Sequence, residues 1–241
     1  DELFAGYYVN FLAHLLSYKG KKFKEKFNFW DQNIKKFIRN ERLKNLENNN
    51  LFKNRYKLNF FIEGDEIKNK YFKDKTNNKI AILSKDIFFN NMLQNYLIQN
   101  VPTQNYANDL VSMHFSLESR SPFLSKVLSE FIYSLRKDYF MYKGKSKSLL
   151  RTAMKSKLHQ NILNNYEKTG FYSPFSSFFS KKDNIKIRNY LNNSKIIYKY
   201  IKKQKIKKLL KLQASQISHG ESKLLFACLN FAILEKNIQS L

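Results

Sequence analysis

Chain punctuation is almost missing from this sequence. Only 6 Gly and 3 Pro fall among 241 residues, and these are the residues that stop helices and make tight turns. A chain so short of breakers reads as helices with few turns, so a mainly α fold is predicted. The length suits one large domain or two small ones and is ample for a hydrophobic core. No internal repeat and no low-complexity linker marks a boundary, and residues 1–241 are read as one domain.

The formal charge is +25 and aromatic residues make up 16% of the chain. Such a charge admits a nucleic-acid or membrane-surface binder. Lys is nevertheless scattered along the whole chain and Arg is rare, whereas phosphate-gripping surfaces tend to cluster charge and use Arg. Lys, Asn, Ile, Phe and Tyr are enriched together, as AT-rich codons would make them, and this compositional reading is preferred to nucleic-acid binding. The lone Cys228 allows no internal disulfide, which agrees with a reducing compartment. No apolar run approaches the roughly 18 residues needed to span a bilayer, and no signal peptide is visible. The chain opens on Asp1-Glu2 without an initiator Met, so a natural start further upstream is expected.

The densest local signal is Ser112-Met113-His114-Phe115-Ser116-Leu117-Glu118-Ser119-Arg120-Ser121-Pro122-Phe123-Leu124. In an extended segment residues i and i+2 share a side, so Glu118 and Arg120 are placed to enter one polar pocket together. Pro122 biases Ser121 toward extended geometry, and Phe123 and Leu124 offer apolar weight to a core. Taken alone, the stretch reads as a buried structural ion pair beside a turn.

Along the chain, residues 1–18 repeat apolar side chains at helical spacing, with Asp1 and Glu2 at the helix start, where carboxylates favour the dipole. Capping explains them; the functional alternative is a carboxylate aimed at a metal–phosphate group, since Mg²⁺ takes oxygen ligands. One helix is expected around Phe27–Ile38 and a loop at Glu47–Asn50. The apolar runs in Lys57–Ile67 and Ile80–Phe89 are strands or buried helical turns, and Lys70–Asn78 between them is a loop. Asn90–Ile98 reads as a helix broken at Val101-Pro102, with Gln104–Phe115 as the next. Ser125 is the expected N-cap of a helix turning Val127, Leu128, Phe131, Ile132 and Leu135 inward. Ser148–Leu158 is expected to be helical, with Leu149, Leu150, Ala153, Met154 and Leu158 inward. A Gly-hinged loop follows at Asn165–Phe171. Basic helices are placed at Ile185–Tyr190 and Lys195–Leu212. The last helix, Lys223–Asn237, is given the inner face Leu224, Leu225, Cys228, Phe231 and Ala232.

Three signals fail. Lys143-Gly144-Lys145-Ser146 has the ending of a nucleotide P-loop, but Tyr139 stands where its first Gly is required. His14, His114, His159 and His219 lie too far apart for metal-ligand spacing. Cys228 on an apolar helix face reads as packing.

Four stretches in a fixed order carry a resemblance. Asp1-Glu2-Leu3-Phe4-Ala5-Gly6-Tyr7-Tyr8 resembles the end of a Gly-Glu-Gly-x-Asp-Glu-Leu-Phe-Gly-Gly-Tyr motif. Asp109 with Ser112-Met113, then Leu117-Glu118-x-Arg120-x-Pro122-Phe123-Leu124, resembles Asp-Arg-x-Ser-Met followed by Leu-Glu-x-Arg-x-Pro-Phe-Leu-Asp. Lys147-x-Leu149-Leu150-Arg151 matches Lys-x-x-Leu-Arg, and Ile162-Leu163-Asn164-Asn165-x-x-Lys168-x-Gly170-Phe171 with Pro174 matches Ile-Leu-x-Asn-Arg-Lys-Lys-x-Gly-Phe-x-x-Pro. These are motifs of the synthetase domain of glutamine-dependent asparagine synthetases, and the chain resembles the C-terminal part of that domain over residues 1 to about 178, with a looser helical tail.

The resemblance implies the helical C-terminal portion of an α/β PP-loop ATP pyrophosphatase domain, with few short strands. It implies a cytoplasmic ligase in which the aspartate side-chain carboxylate attacks the α-phosphorus of ATP, and glutamine-derived ammonia then displaces AMP from the acyl-adenylate. ATP and Mg²⁺ would be its cofactors, aspartate or a similar carboxylate its small-molecule substrate, and a homodimer is admitted. By resemblance Asp1 would hold the Mg²⁺ of the pyrophosphate group. Lys168 would be catalytic, bringing its ammonium to the phosphate oxygens from a loop hinged at Gly170. Arg151 is a second nucleotide-binding candidate, with a helix salt bridge as its plain alternative. Glu118 and Arg120 would shape the pocket wall.

The upstream Ser-Gly-Gly-x-Asp-Ser loop and the glutamine-hydrolysing domain are not in these 241 residues, so the chain by itself is expected not to turn over ATP. Ala5 replaces a Gly of the motif, Ser125 an Asp, His159 a common Pro, Phe226 a common Trp, and Tyr166-Glu167 the Arg-Lys before Lys168; His114 falls one place early. Three further readings stay open. They are a ligase amidating a sugar acid or a peptide, a basic helical nucleic-acid-binding module, and a non-catalytic relative.

Overall fold

A computed structural model describes residues 1–38, 44, 62–74, 81–165 and 185–239. The described residues are mainly helical, and their only strand-like pairing is an isolated antiparallel bridge between Phe72 and Ile201. The chain divides into two compact units, Asp1–Leu58 with Ile80–Lys168, and Asn59–Lys79 with Thr169–Leu241.

In the first unit the helix expected from residue 1 begins instead at Tyr8 and runs to Leu16. Residues 1–6 form a turn closed by the Gly6 amide donating to the Asp1 carbonyl at 2.8 Å. Ala5 takes φ 53° there, a left-handed conformation that stops helical propagation and that Gly adopts without a Cβ penalty. This explains the Gly in the motif that Ala5 replaces. Asp1 and Glu2 are therefore not in the first helical turn. The Tyr8–Leu16 helix buries every residue from Asn10 to Leu16 and packs against the Ile87–Gln94 helix. Asp86 caps the latter, its carboxylate accepting from the amides of Phe88 and Phe89.

The helix expected at Phe27–Ile38 lies earlier, at Gly20–Asn33, followed by a 3₁₀ turn at Lys35–Phe37. The run Ala81–Leu83 is neither strand nor buried helix. Ile82 and Leu83 are exposed, and side chains of the following helix satisfy the backbone instead: Asn90 Oδ1 accepts from the amides of Leu83 and Ser84, and Gln94 Nε2 donates to the Ala81 carbonyl.

Pro102 does not break the chain as expected. A π-helical turn at Asn95–Gln99 joins the Ile87–Gln94 helix to Asn100–His114, and Pro102 sits in the first turn of the latter. The wider π turn carries the chain over the carbonyls the proline ring would otherwise crowd. The second helix ends in a Schellman motif: Leu117 N–H donates to the Ser112 carbonyl, Ser116 N–H to that of Met113, and Ser116 takes φ 56°.

Ser125 caps Lys126–Ser134 as expected, its hydroxyl accepting from the Leu128 amide. The inward face is narrower than expected: Ile132 is buried while Val127 and Phe131 are exposed. The helix expected over Ser148–Leu158 stops at Ala153, and Ala153 and Leu158 face solvent.

In the second unit, helices Ile62–Tyr71, Ile185–Asn193, Ile197–Tyr200, Lys203–Leu209 and His219–Gln239 surround a core including Tyr71, Leu191, Ile206, Leu225 and Cys228. The single helix expected at Lys195–Leu212 is interrupted at Ile201, where Lys202 N–H donates to the Tyr71 carbonyl and Lys73 N–H to that of Tyr200. The last helix starts before Lys223. Ser218 Oγ accepts from the Glu221 amide, and Glu221 Oε2 accepts from the Ser218 amide, a reciprocal cap. Leu229 takes the buried position expected for Phe231, which is exposed. Cys228 packs as expected, and burial pushes its thiol up to about 12.

Candidate functional site

The site is built around the turn at residues 1–6. The Asp1 carboxylate pairs with the ammonium of Lys147, a residue far along the chain that stands just before the Ser148–Ala153 helix. The two side chains are 24% and 34% exposed, so solvent reaches the pair from one side. A Cβ on Gly6 would come within 2.1 Å of Asp1 Oδ1 and 2.4 Å of Lys147 Cε. The pair thus occupies space that a side chain at position 6 would fill.

Lys147 itself has φ 57° and ψ 30°, left-handed backbone that non-Gly residues rarely adopt. Its surroundings hold it there. Ser148 N–H donates to the Phe140 carbonyl at 3.3 Å, Arg151 N–H to the Lys147 carbonyl at 2.9 Å, and the Ser148 hydroxyl accepts from the Tyr142 amide. Burial, and then the charge of Arg151, pull the Lys147 ammonium below its ordinary pKa, while Glu2 opposes them. The Glu2 carboxylate accepts from the Tyr7 hydroxyl. Burial first, then that bond, drive the Tyr7 phenol well above its usual value.

Arg151 hydrogen-bonds to a set of backbone carbonyls. Its Nε donates to the Ser146 carbonyl at 2.9 Å, Nη1 to the carbonyls of Ile162 and Leu163 at 2.9 and 2.7 Å, and Nη2 to that of Asn165 at 2.9 Å. The guanidinium fork thereby clamps the carboxyl end of the Gln160–Asn164 helix, the stem from which the chain proceeds to Lys168. Lys168 and Gly170 lie outside the described residues, and so does the pairing of Lys168 with Asp1 across one nucleotide.

Glu118 and Arg120 do share a side. Arg120 donates from Nε and Nη2 to the two carboxylate oxygens of Glu118 at 2.9 and 3.3 Å. The pair is not buried, as its reading alone had it: the side chains are 70% and 82% exposed. Phe115, Leu117 and Phe123 on the same stretch are also exposed, so no described residue covers it. Phe123 nevertheless meets Phe4 edge-on at 5.8 Å, which sets this stretch beside the Asp1 turn.

Among the described residues no group of three or more His, Cys, Asp or Glu could hold a metal. Asp1 with Glu2 is a poor cage but a fitting partner for Mg²⁺ carried by phosphates, which characteristically takes one or two carboxylates and keeps its remaining positions for phosphate and water. No described helix is long and apolar enough to cross a membrane.

The residue missed by sequence reasoning is Lys147. Its signal was the Lys-x-x-Leu-Arg match at Lys147-x-Leu149-Leu150-Arg151, which sets it apart from Lys143 and Lys145 without saying what it meets. A family model described as asparagine synthase matches residues 1–234. No curated protein and no solved structure matches the chain.

Proposed function

Because the chain belongs to the asparagine synthase family, whose members carry out ATP-dependent amidation, we propose that it serves the conversion of aspartate to asparagine with glutamine-derived ammonia. In this reading the aspartate carboxylate oxygen attacks the α-phosphorus of ATP and pyrophosphate leaves. Ammonia then attacks the activated carbonyl, and AMP departs with the carboxylate oxygen. Mg²⁺, when bound with the nucleotide, neutralises charge on the pyrophosphate leaving group. Asp1 would hold that ion.

Lys168, on the loop with Gly170, would place an ammonium at the phosphoryl oxygens where charge gathers. Arg151 would serve nucleotide binding, and its bonds to the Leu163 and Asn165 carbonyls fix the stem of that loop. Glu118 and Arg120 would form part of the pocket wall.

The match over residues 1–234 carries this reading. Its test is product analysis with the full-length protein: aspartate-dependent release of AMP and pyrophosphate, abolished by Lys168→Ala. Unchanged turnover in Lys168→Ala would contradict the role of Lys168, and ADP as the product would contradict adenylation. A second acceptor, a sugar acid or peptide carboxylate, is favoured only if aspartate fails and such a compound supports the same products.

A further inference from the structure

We infer that Lys147 is the resident counter-ion of Asp1, holding its carboxylate until a divalent cation arrives with a phosphate-bearing ligand and then turning to the phosphate oxygens. The inference rests on the proposed ATP chemistry and adds a residue and a coupling to it.

Three observations carry it. The first is the pairing itself: the Lys147 ammonium lies on the Asp1 carboxylate. A metal ion at Asp1 and the Lys147 ammonium compete for the same carboxylate.

The second is the conformation of Lys147. Left-handed backbone is unfavourable for an L-residue, and Gly144 shows that this loop uses Gly at another positive φ, 68°. The turn sets Lys147 at the mouth of the Ser148–Ala153 helix, with its side chain on Asp1.

The third is the room made for it. Gly6 lacks the Cβ that would collide with both Asp1 Oδ1 and Lys147 Cε. The seat is therefore shaped for the pair and not for either residue alone.

The chemistry of lysine suits exchange. Its ammonium is a compact charge on a flexible stem with three donors, whereas an Arg fork would lock onto the carboxylate in two bonds. With 34% of the Lys147 side chain exposed, the ammonium has a path away from Asp1. A metal ion arriving alone must break the pair and leaves the ammonium without that partner. A metal ion arriving with pyrophosphate breaks the same pair but supplies oxygens to receive the ammonium. The two ligands should therefore bind with positive coupling, and the coupling is reciprocal.

The test uses Mn²⁺ titrated into the full-length protein and followed by electron paramagnetic resonance, with and without saturating pyrophosphate. Lys147→Met should bind Mn²⁺ alone about threefold or more tighter than the wild type, and the tightening caused by pyrophosphate should shrink about tenfold. Lys147→Arg should keep the weak binding of Mn²⁺ alone. Circular dichroism checks the fold, and Lys147→Gln replaces the Met variant, with the same expectations, if the latter does not fold. Equal Mn²⁺ affinity in the wild type and the uncharged variant overturns the inference, as does undiminished coupling. A wild type that shows no pyrophosphate-dependent Mn²⁺ binding at all sinks the proposed ATP chemistry instead, so the two failures are distinct.

Discussion

The Lys147 ammonium rests on the Asp1 carboxylate over a glycine, Gly6, whose missing side chain makes the contact possible. A methyl group at position 6 would meet the ends of two flexible side chains, not backbone. Gly6→Ala should therefore displace the pair while leaving most of the fold intact. We expect a melting temperature lowered by only a few degrees, on the order of 1 kcal/mol, with pyrophosphate-dependent metal binding reduced at least about tenfold. Calorimetry and metal titration on the same sample check this. A variant that binds metal and pyrophosphate like the wild type would remove Asp1 from the site.

Arg151 makes the opposite prediction. Its donors reach the carbonyls of Ser146, Ile162, Leu163 and Asn165, and hydrogen bonds from a charged donor contribute roughly 1.5–3 kcal/mol each at best. Non-additivity and solvent reduce the total, so Arg151→Met should destabilise the fold by about 2–4 kcal/mol. Amide exchange at Leu163 and Asn165 should accelerate. Arg151→Lys cannot reproduce the fork and should recover less than half of the loss. Stability equal to the wild type would show that the guanidinium does not clamp this stem.

Acid should weaken the two units in different pH windows. His14 is buried in the first unit. Burial, then the charges of Lys26 and Lys137, hold its pKa down at about 3, with Asp138 opposing. The neighbouring Tyr18 hydroxyl lies 3.3 Å from Nε2. The unfolded chain binds a proton near pH 6.5 and the folded one does not, so His14 contributes stability above about pH 6.5 that is lost as pH falls toward 3.

In the second unit burial works against ionising Glu221, but hydrogen bonds from Lys70, Tyr71 and Ser218 outweigh it and bring its pKa to about 2. Its contribution, on the order of 3 kcal/mol, is complete above about pH 4.5 and disappears between 4.5 and 2. Thermal melts across pH 7 to 2 should show an early decline that His14→Phe flattens and a late one that Glu221→Gln removes. An unaltered profile in either variant would refute that assignment.

Much of this was legible in the sequence, for identifiable reasons. Scarce Gly and Pro foretold helices, and the Ser125 cap and the packing of Cys228 followed from local chemistry alone. Four short motifs in order pointed to the family. Helix limits failed where tertiary structure overrode local pattern: the positive φ of Ala5 delays the first helix, a π turn carries the chain through Pro102, and the bridge at Ile201 interrupts a basic helix. The Glu118–Arg120 pair was foreseen from i, i+2 spacing, but its exposure was not, because burial depends on what lies across from it. The motif marked Lys147 among its neighbouring lysines, but its partner was not legible, since only the fold brings it to Asp1. The expected approach of Lys168 to Asp1 lies outside the described residues.

The direct test of the proposed chemistry is isotope transfer. The full-length protein is supplied with ATP, ammonia and aspartate carrying ¹⁸O in its side-chain carboxylate, and the AMP is analysed by mass spectrometry. Attack of that carboxylate on the α-phosphorus predicts one ¹⁸O atom in each AMP formed with asparagine. AMP without label, or label in inorganic phosphate alongside ADP, would contradict an acyl-adenylate route.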